Sequence, residues 1–297
     1  MTNFDLHMHS NISNDGELTP EELIELAHKQ GLRYVALSDH NDYRGIEKMQ
    51  EAGKRYDIQV IPAIEFDTLF DIHEVHVLGY NIDYHHPYFT DLAKQVDDKI
   101  LVGMAQRFEK FRQAYGVTLD EKEVYARTPK GENPFFTLVS MMLNDPANKD
   151  IPEFQDYLPG GCRSTPQVVN FYWDKCCVGT DNYVKVEYPD FKKTVDIIHE
   201  TGGIAVLAHP WKTFYKRENL LEKAFAWGID GIEAYSNYHE PKHNAYYEEI
   251  AKKYHVLMTC GSDFHGSKKP NIMMGEYGYH KDDGADILQT FLKKLGR

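Results

Sequence analysis

Short apolar runs of strand length alternate with stretches of helical periodicity at both ends of the chain, and each run stops at a turn signal. Seven runs read as strands: Phe4–His9, Tyr34–Ser38, Ile58–Ile64, Glu74–Tyr80, Ile204–Leu207, Gly231–Tyr235 and Val256–Cys260. After the first, Thr19-Pro20-Glu21-Glu22 supplies an N-cap, a proline at the first helical position and a glutamate able to close a capping box, and Gly31 ends the helix. Further helices are expected around Gly45–Tyr56, from Phe191 to Thr201, around Glu218–Trp227 and over Lys242–Tyr254. Strands rich in Val, Ile and Leu that alternate with helices predict a parallel sheet covered by helices, with a barrel as its closed form. Between about 85 and 189 the rhythm changes to long helical stretches broken by Thr128-Pro129, Asn133-Pro134 and Gly160-Gly161, which predicts a mostly helical insertion. The expected organisation is an α/β chain with a barrel built from 1–84 and 190–297, interrupted by an insertion over 85–189.

Several histidines and carboxylates fall at the ends of these strands, where barrel enzymes hold their chemistry. Side chains alternate along a strand, so Asp5, His7 and His9 share one face while Leu6 and Met8 take the other, and two imidazoles spaced i, i+2 can reach one metal. Asp39-His40 ends the second strand, Glu65 the third, His76 lies on the fourth, His209 follows the fifth, Asp263-Phe264-His265 follows the seventh, and Asp15 sits in the loop after the first. Any one of these histidines alone reads as a packed or solvated residue; their recurrence at equivalent strand ends does not. His28, His199 and His255 keep the ordinary reading, and His85, His86, His239, His243 and His280 are left unassigned. So many ligands exceed the four that one zinc takes, which implies two or three divalent cations. Imidazole and carboxylate without thiolate suits Mn²⁺, Zn²⁺ or Fe²⁺. Asp5 and Asp39 precede ligand histidines and are expected to accept an imidazole N–H and fix the ring. His73 competes with His76 for the same role.

Charge narrows the partners. With 33 Lys+Arg against 46 Asp+Glu in 297 residues the formal net charge is −13, which excludes a basic nucleic-acid-coating module. Three divalent cations would leave the balance negative, so a long polyanion would be attracted only locally, and a single nucleotide or short oligonucleotide fits better than long nucleic acid. The N-terminus has no signal-peptide pattern and no apolar run is long enough to span a bilayer, so no membrane association is expected. Cys162, Cys176, Cys177 and Cys260 include no C-x-x-C and fit neither a disulfide framework nor a thiolate zinc site, which points to a reducing cytoplasm. There is no G-x-S-x-G elbow and no Walker-A loop.

The run DLHMHS, the segment NDGELTPEEL, the SDH at Ser38–His40, Glu65, the VHVLGY around His76, the GGIAVLAHP ending at Pro210 and the GSDFHG at Gly261–Gly266 together resemble the polymerase-and-histidinol-phosphatase (PHP) family of metal-dependent phosphoesterases. The resemblance spans 1–84 and 190–297 and implies a distorted (β/α)7 barrel with a trinuclear metal centre. Carried over, it gives the first metal to His7, His9, Glu65 and Asp263, the second to Glu65, His76 and His209, and the third to Asp15, His40 and His265, with Glu65 bridging the first two. A metal-bridging hydroxide would attack the phosphorus, with Glu65, Asp263 and His265 as the expected catalytic residues and His265 or a water as proton source for the leaving group.

The branch with a helical insertion resembles phosphatases of nucleotides. Its usual GRPH-like run corresponds here to Gly131–Phe136, which lacks both the Arg and the His. The expected activity is a phosphomonoesterase acting on a small phosphorylated metabolite, a nucleotide above all. The alternatives are a nuclease that processes oligonucleotides and an amidohydrolase-like C–N hydrolase. Arg127, Lys130, Arg163, Lys268 and Lys269 are candidates to meet the phosphate, against a reading as solvated surface charges. Tyr125, Phe135, Phe136, Tyr172 and Trp173 are candidates to stack on a base, against packing in the insertion's own core.

Overall fold

The computed structural model describes residues 3–13, 15–129, 133–177, 179–185, 187–214, 217–279 and 285–296. All seven expected strands form: β1 Phe4–Met8, β2 Tyr34–Leu37, β3 Gln59–Phe70, β4 His73–Tyr80, β5 Ile204–Leu207, β6 Gly231–Ser236 and β7 Leu257–Gly261. They lie in sequence order in one sheet. The sheet curls until its two edges meet. Just beyond the strand ends the His9 N–H donates to the Phe264 carbonyl at 2.9 Å and the Asp263 N–H to the His7 carbonyl at 2.9 Å, which makes a nearly closed barrel.

One expectation fails. The sheet is not parallel throughout, because β4 is antiparallel to both β3 and β5. The sequence pattern ends the third strand at Ile64, but β3 continues to Phe70, and only Asp71 and Ile72 separate it from β4. A two-residue link can only reverse the chain, since a parallel return needs a crossover of about a dozen residues or more. Asp71, at φ 56°, supplies the left-handed backbone that such a hairpin turn requires.

In chain order the helices are α1 Pro20–Lys29, α2 Ile46–Lys54, α3 Pro87–Tyr115, α4 Glu121–Arg127, α5 Pro134–Asn144, α6 Gln167–Lys175, α7 Phe191–Glu200, α8 Pro210–Thr213, α9 Glu218–Ala226, α10 Pro241–Tyr254 and α11 Ala285–Lys294. The capping box on α1 forms, with the Glu22 N–H on Thr19 Oγ1 at 3.2 Å and the Thr19 N–H on Glu22 Oε2 at 2.8 Å. Two compact units result, 1–93 with 188–297, and 94–187, the break falling within α3. In the first, helices cover the sheet over two apolar clusters, a large one in which the Phe70 and Phe191 rings stack at 4.3 Å and a smaller one around Leu23, Val35, Met49 and Val60. The second has its own core around Phe108, Phe111, Leu138, Met142, Phe154 and Phe171. Among the described residues no helix is long and apolar enough to cross a membrane.

Candidate metal centre

The alternation of β1 brings His7 and His9 to one buried face. His40, just past β2, forms a parallel bridge with Glu65 of β3. Two residues on, Asp67 points the same way, and because β4 runs backwards His76 lies directly across the ladder from it. His209 follows β5, while Asp263 and His265 follow β7. His209 at φ 26° and Asp263 at φ 60° adopt left-handed backbone that costs non-glycine residues energy, a strain that clusters at functional sites. Each is pinned through its N–H, His209 to Glu233 Oε2 at 2.7 Å and Asp263 to the His7 carbonyl.

Glycine makes the seam possible. A Cβ on Gly261 would lie 2.2 Å from His7 Cβ and 2.7 Å from Glu233 Oε1, so only glycine lets β7 approach β1 this closely.

The donor atoms converge. Glu65 Oε2 lies 3.1 Å from both His7 Nε2 and His9 Nε2, and its Oε1 lies 2.9 Å from both His76 Nδ1 and His209 Nε2. Asp263 Oδ1 is 3.2 Å from His7 Nε2 and 3.0 Å from His9 Nε2. Asp15 Oδ2 is 2.9 Å from His265 Nε2 and 3.7 Å from His40 Nε2. Ligand atoms 2.0–2.2 Å from one cation sit about 3 Å apart when adjacent at right angles, so these separations suit a shared ion. Among the described residues the buried atoms His9 Nε2 and Asp263 Oδ1 make no well-aligned hydrogen bond, a costly state that bound cations would relieve. The residues therefore fit divalent metal.

All nine residues expected to hold metal come together, in three groups: His9, Asp15, His40 and His265; His7, Glu65, His209 and Asp263; and His40, Asp67 and His76. His9 thus sits between the first two groups. His73, at the start of β4, lies away from Glu65, which His76 faces.

The outer carboxylates differ from expectation. Among the described residues Asp5 bonds to no imidazole: it accepts from the His7 N–H at 3.2 Å, the Ser262 N–H at 3.0 Å, Ser262 Oγ at 2.6 Å and the Gly275 N–H at 2.8 Å. Asp39 likewise accepts from the Ser10 N–H at 2.6 Å and Ser10 Oγ at 2.7 Å. A carboxylate that precedes a ligand by two residues on a strand, or ends one, is better placed to tie neighbouring backbone. The carboxylate that orients a ring is Glu233 in the middle of β6, which accepts from His7 Nδ1 at 3.1 Å. Glu233 and Asp67 were missed, although a lone acid inside the apolar run Gly231–Tyr235 and an acid two residues after Glu65 were both visible in the sequence.

Electrostatics follow the crowding. Burial opposes charge on His7 and His40, but Glu65, Glu233 and Asp263 hold His7 well above the ordinary imidazole range, and Asp67, Glu65 and Asp15 push His40 up to about 10. Burial also opposes charge on Asp15, Glu65 and Asp263, yet neighbouring cationic groups hold each well below the carboxylate range. His265 is held down at about 4, chiefly by burial.

Arg127 pairs with Glu123 at 2.5 Å and Arg163 grips Asp174 through two 2.8 Å bonds, both within the 94–187 unit. Lys130 and part of the Gly131–Phe136 stretch lie outside the described residues. Lys268 Nζ donates to the Gly16 carbonyl at 2.7 Å, whereas Lys269 reaches Asp263 Oδ2 at 3.1 Å, beside the Tyr238 hydroxyl on the same oxygen at 2.5 Å. Phe135 packs into the core of its own unit with Tyr172 and Phe136 against that core, while Tyr125 and Trp173 are exposed.

Comparison with known proteins agrees with this geometry. The PHP domain family model matches residues 5–158. A 5'-3' exoribonuclease of Haemophilus influenzae is 30% identical over 276 residues, covering 88% of this chain and 89% of that protein. A 3',5'-nucleoside bisphosphate phosphatase of Chromobacterium violaceum is 28% identical, over 99% of this chain and 97% of the relative. A solved Chromobacterium violaceum structure, described as an amidohydrolase with bound sulfate and no metal, superposes with a TM-score of 0.77 at 24% identity, over 98% of this chain and 96% of that one, a likeness of fold. Strand-end histidines, a barrel with one reversed strand and a matching family model lead to one conclusion: the chain belongs to the PHP domain family of metal-dependent phosphoesterases.

Proposed function

We propose that the chain removes a phosphate group from a small nucleotide, with two or three divalent cations held by His7, His9, Asp15, His40, Glu65, His76, His209, Asp263 and His265. The observation that carries this reading is Glu65, whose two oxygens each face two imidazole nitrogens at 2.9–3.1 Å, as a carboxylate bridging two cation positions would. Bound cations would supply a water acidic enough to attack at neutral pH and neutralise charge gathering on the phosphate.

The chain's own residues prepare the site. Glu233 holds the His7 ring by its Nδ1–H, so Nε2 presents a lone pair. Tyr238 donates to Asp263 Oδ2, leaving Oδ1 to face His7 and His9. The His265 Nδ1–H donates to the Asp263 carbonyl at 2.7 Å, which aims its Nε2 at Asp15. The negative net charge and the near full-length similarity to a nucleoside bisphosphate phosphatase support a small substrate. We assign recognition of the organic group to the helical insertion, since loops and insertions on a rigid scaffold usually carry it.

A second reading, stepwise removal of nucleotides from the 5' end of a short RNA, is favoured by the similarity to the Haemophilus influenzae exoribonuclease. The deciding experiment offers the Mn²⁺-loaded protein adenosine 3',5'-bisphosphate and a 5'-phosphorylated pentaribonucleotide. Faster release of inorganic phosphate from the bisphosphate is expected. Mononucleotides released from the pentamer at a higher kcat/KM establish the second reading instead, and hydrolysis of neither overturns both.

A further inference from the structure

Within the site lies a group that the metal-ligand set does not use. Lys269 Nζ is 3.0 Å from His265 Nε2, 3.1 Å from Asp263 Oδ2 and 3.7 Å from Asp15 Oδ2, with the Tyr238 hydroxyl at 3.3 Å. The proton on His265 is spoken for at Nδ1, which donates to the Asp263 carbonyl, so the Nε2 facing the ammonium carries a lone pair. An imidazole lone pair with two carboxylates is the donor set of a divalent cation. An ordinary surface ion pair would engage the carboxylates alone. Here the ammonium stands within reach of all three donors.

The backbone that bears Lys269 is tied to the backbone that bears Asp15. Past β7, the Ser267 N–H donates to Glu17 Oε2 at 2.5 Å and Lys268 Nζ to the Gly16 carbonyl at 2.7 Å. The loop after β1 and the loop after β7 thus hold the corner together whatever the side chain of Lys269 does. Its four-carbon stem can withdraw a strongly hydrated ammonium without moving either loop. We propose that Lys269 is a resident cation of the Asp15–Asp263–His265 corner: its ammonium fills this corner in the metal-free chain, and a divalent cation enters there only by displacing it. The inference rests on the metal-centre reading above. It makes this corner the weakest of the cation positions, because among the described residues there alone metal must displace a lysine ammonium as well as imidazole protons.

The test strips the full-length protein with a chelator and titrates it with Mn²⁺ alone, following heat and bound ions, for the wild type, Lys269→Met and Lys269→Gln. The weakest Mn²⁺ position should tighten about tenfold or more in both variants, as loss of charge-assisted bonds to a competitor predicts, while the tighter positions stay as they are. In parallel, acetic anhydride labelling read by mass spectrometry should modify Lys269 of the wild type faster with Zn²⁺ bound than without. An unchanged or weakened last position, or labelling that metal leaves equal or slows, overturns the inference. Should either variant fail to fold, the other variant and the wild-type labelling decide it. A wild type that takes up no Mn²⁺ removes the metal-centre reading and this inference with it, whereas one that binds Mn²⁺ with Lys269 indifferent removes this inference alone.

Discussion

Glu233 is buried, bonded to the His7 ring and to the backbone of His209, so one carboxylate sets two of the proposed ligands. Glu233→Gln should lower metal affinity roughly ten- to hundredfold, read by titration with Mn²⁺, with little change in far-UV circular dichroism. The raised imidazoles give a pH dependence with a definite sign. In the metal-free chain the neighbouring carboxylates, working against burial, hold His7 and His76 well above the ordinary range and His40 at about 10. These groups bind protons more tightly folded than unfolded, so their stabilisation is complete below about pH 6.5 and is lost as pH rises toward 10. The melting temperature of the chelated protein should therefore fall over that window. Metal binding should release protons and strengthen with pH, which calorimetry in buffers of different ionisation enthalpy measures. The nine residues that gather here were visible in the sequence because most of them fall at or just past strand ends. The pairing of Asp67 with His76 was not, because it is set by an antiparallel register that single-strand periodicity does not encode.

At the level of elements, the seam between β1 and β7 depends on Gly261. Gly261→Ala should force His7 from its place, abolishing uptake of at least one Mn²⁺ and lowering stability by about 1–3 kcal/mol as overpacking does, seen together in metal analysis and thermal denaturation. A Gly261→Ala protein with full metal content would show that the strands can part without disturbing His7. All seven strands and five of the helices around them were readable from alternation, capping signals and terminal glycines, as at Thr19 and Gly31, whereas α8 and α11 were not. The reversal of β4 was not, since Glu65–Phe70 reads as mixed polar and apolar and its pairing with His73–Leu78 is a long-range choice made by the tight turn at Asp71.

For the whole molecule, an apolar core belonging to the 94–187 unit alone, apart from the two clusters of the other unit, points to separable tasks. Joining Ala93 to Tyr188 through a short linker should leave Mn²⁺ uptake and slow hydrolysis of an aryl phosphate intact while removing any preference among nucleotides. Unaltered preference in such a folded, metal-loaded protein would return specificity to the barrel loops. The change of rhythm near 85 and 189 was legible as a shift from strand-and-helix alternation to helices alone, but α3 runs across the break, and a continuous helix carries no boundary signal. The barrel's closure has a mechanical meaning. Its last edge is sewn by a few backbone bonds and by Asp5, not by a full ladder, and side chains proposed to hold metal stand on both sides of it, His7 and His9 on one, Asp263 and His265 on the other. Under tension applied across β1 and β7 this edge is where the molecule would unzip, so each ion gripped across it acts as a rivet, and a chelator as the tool that draws it.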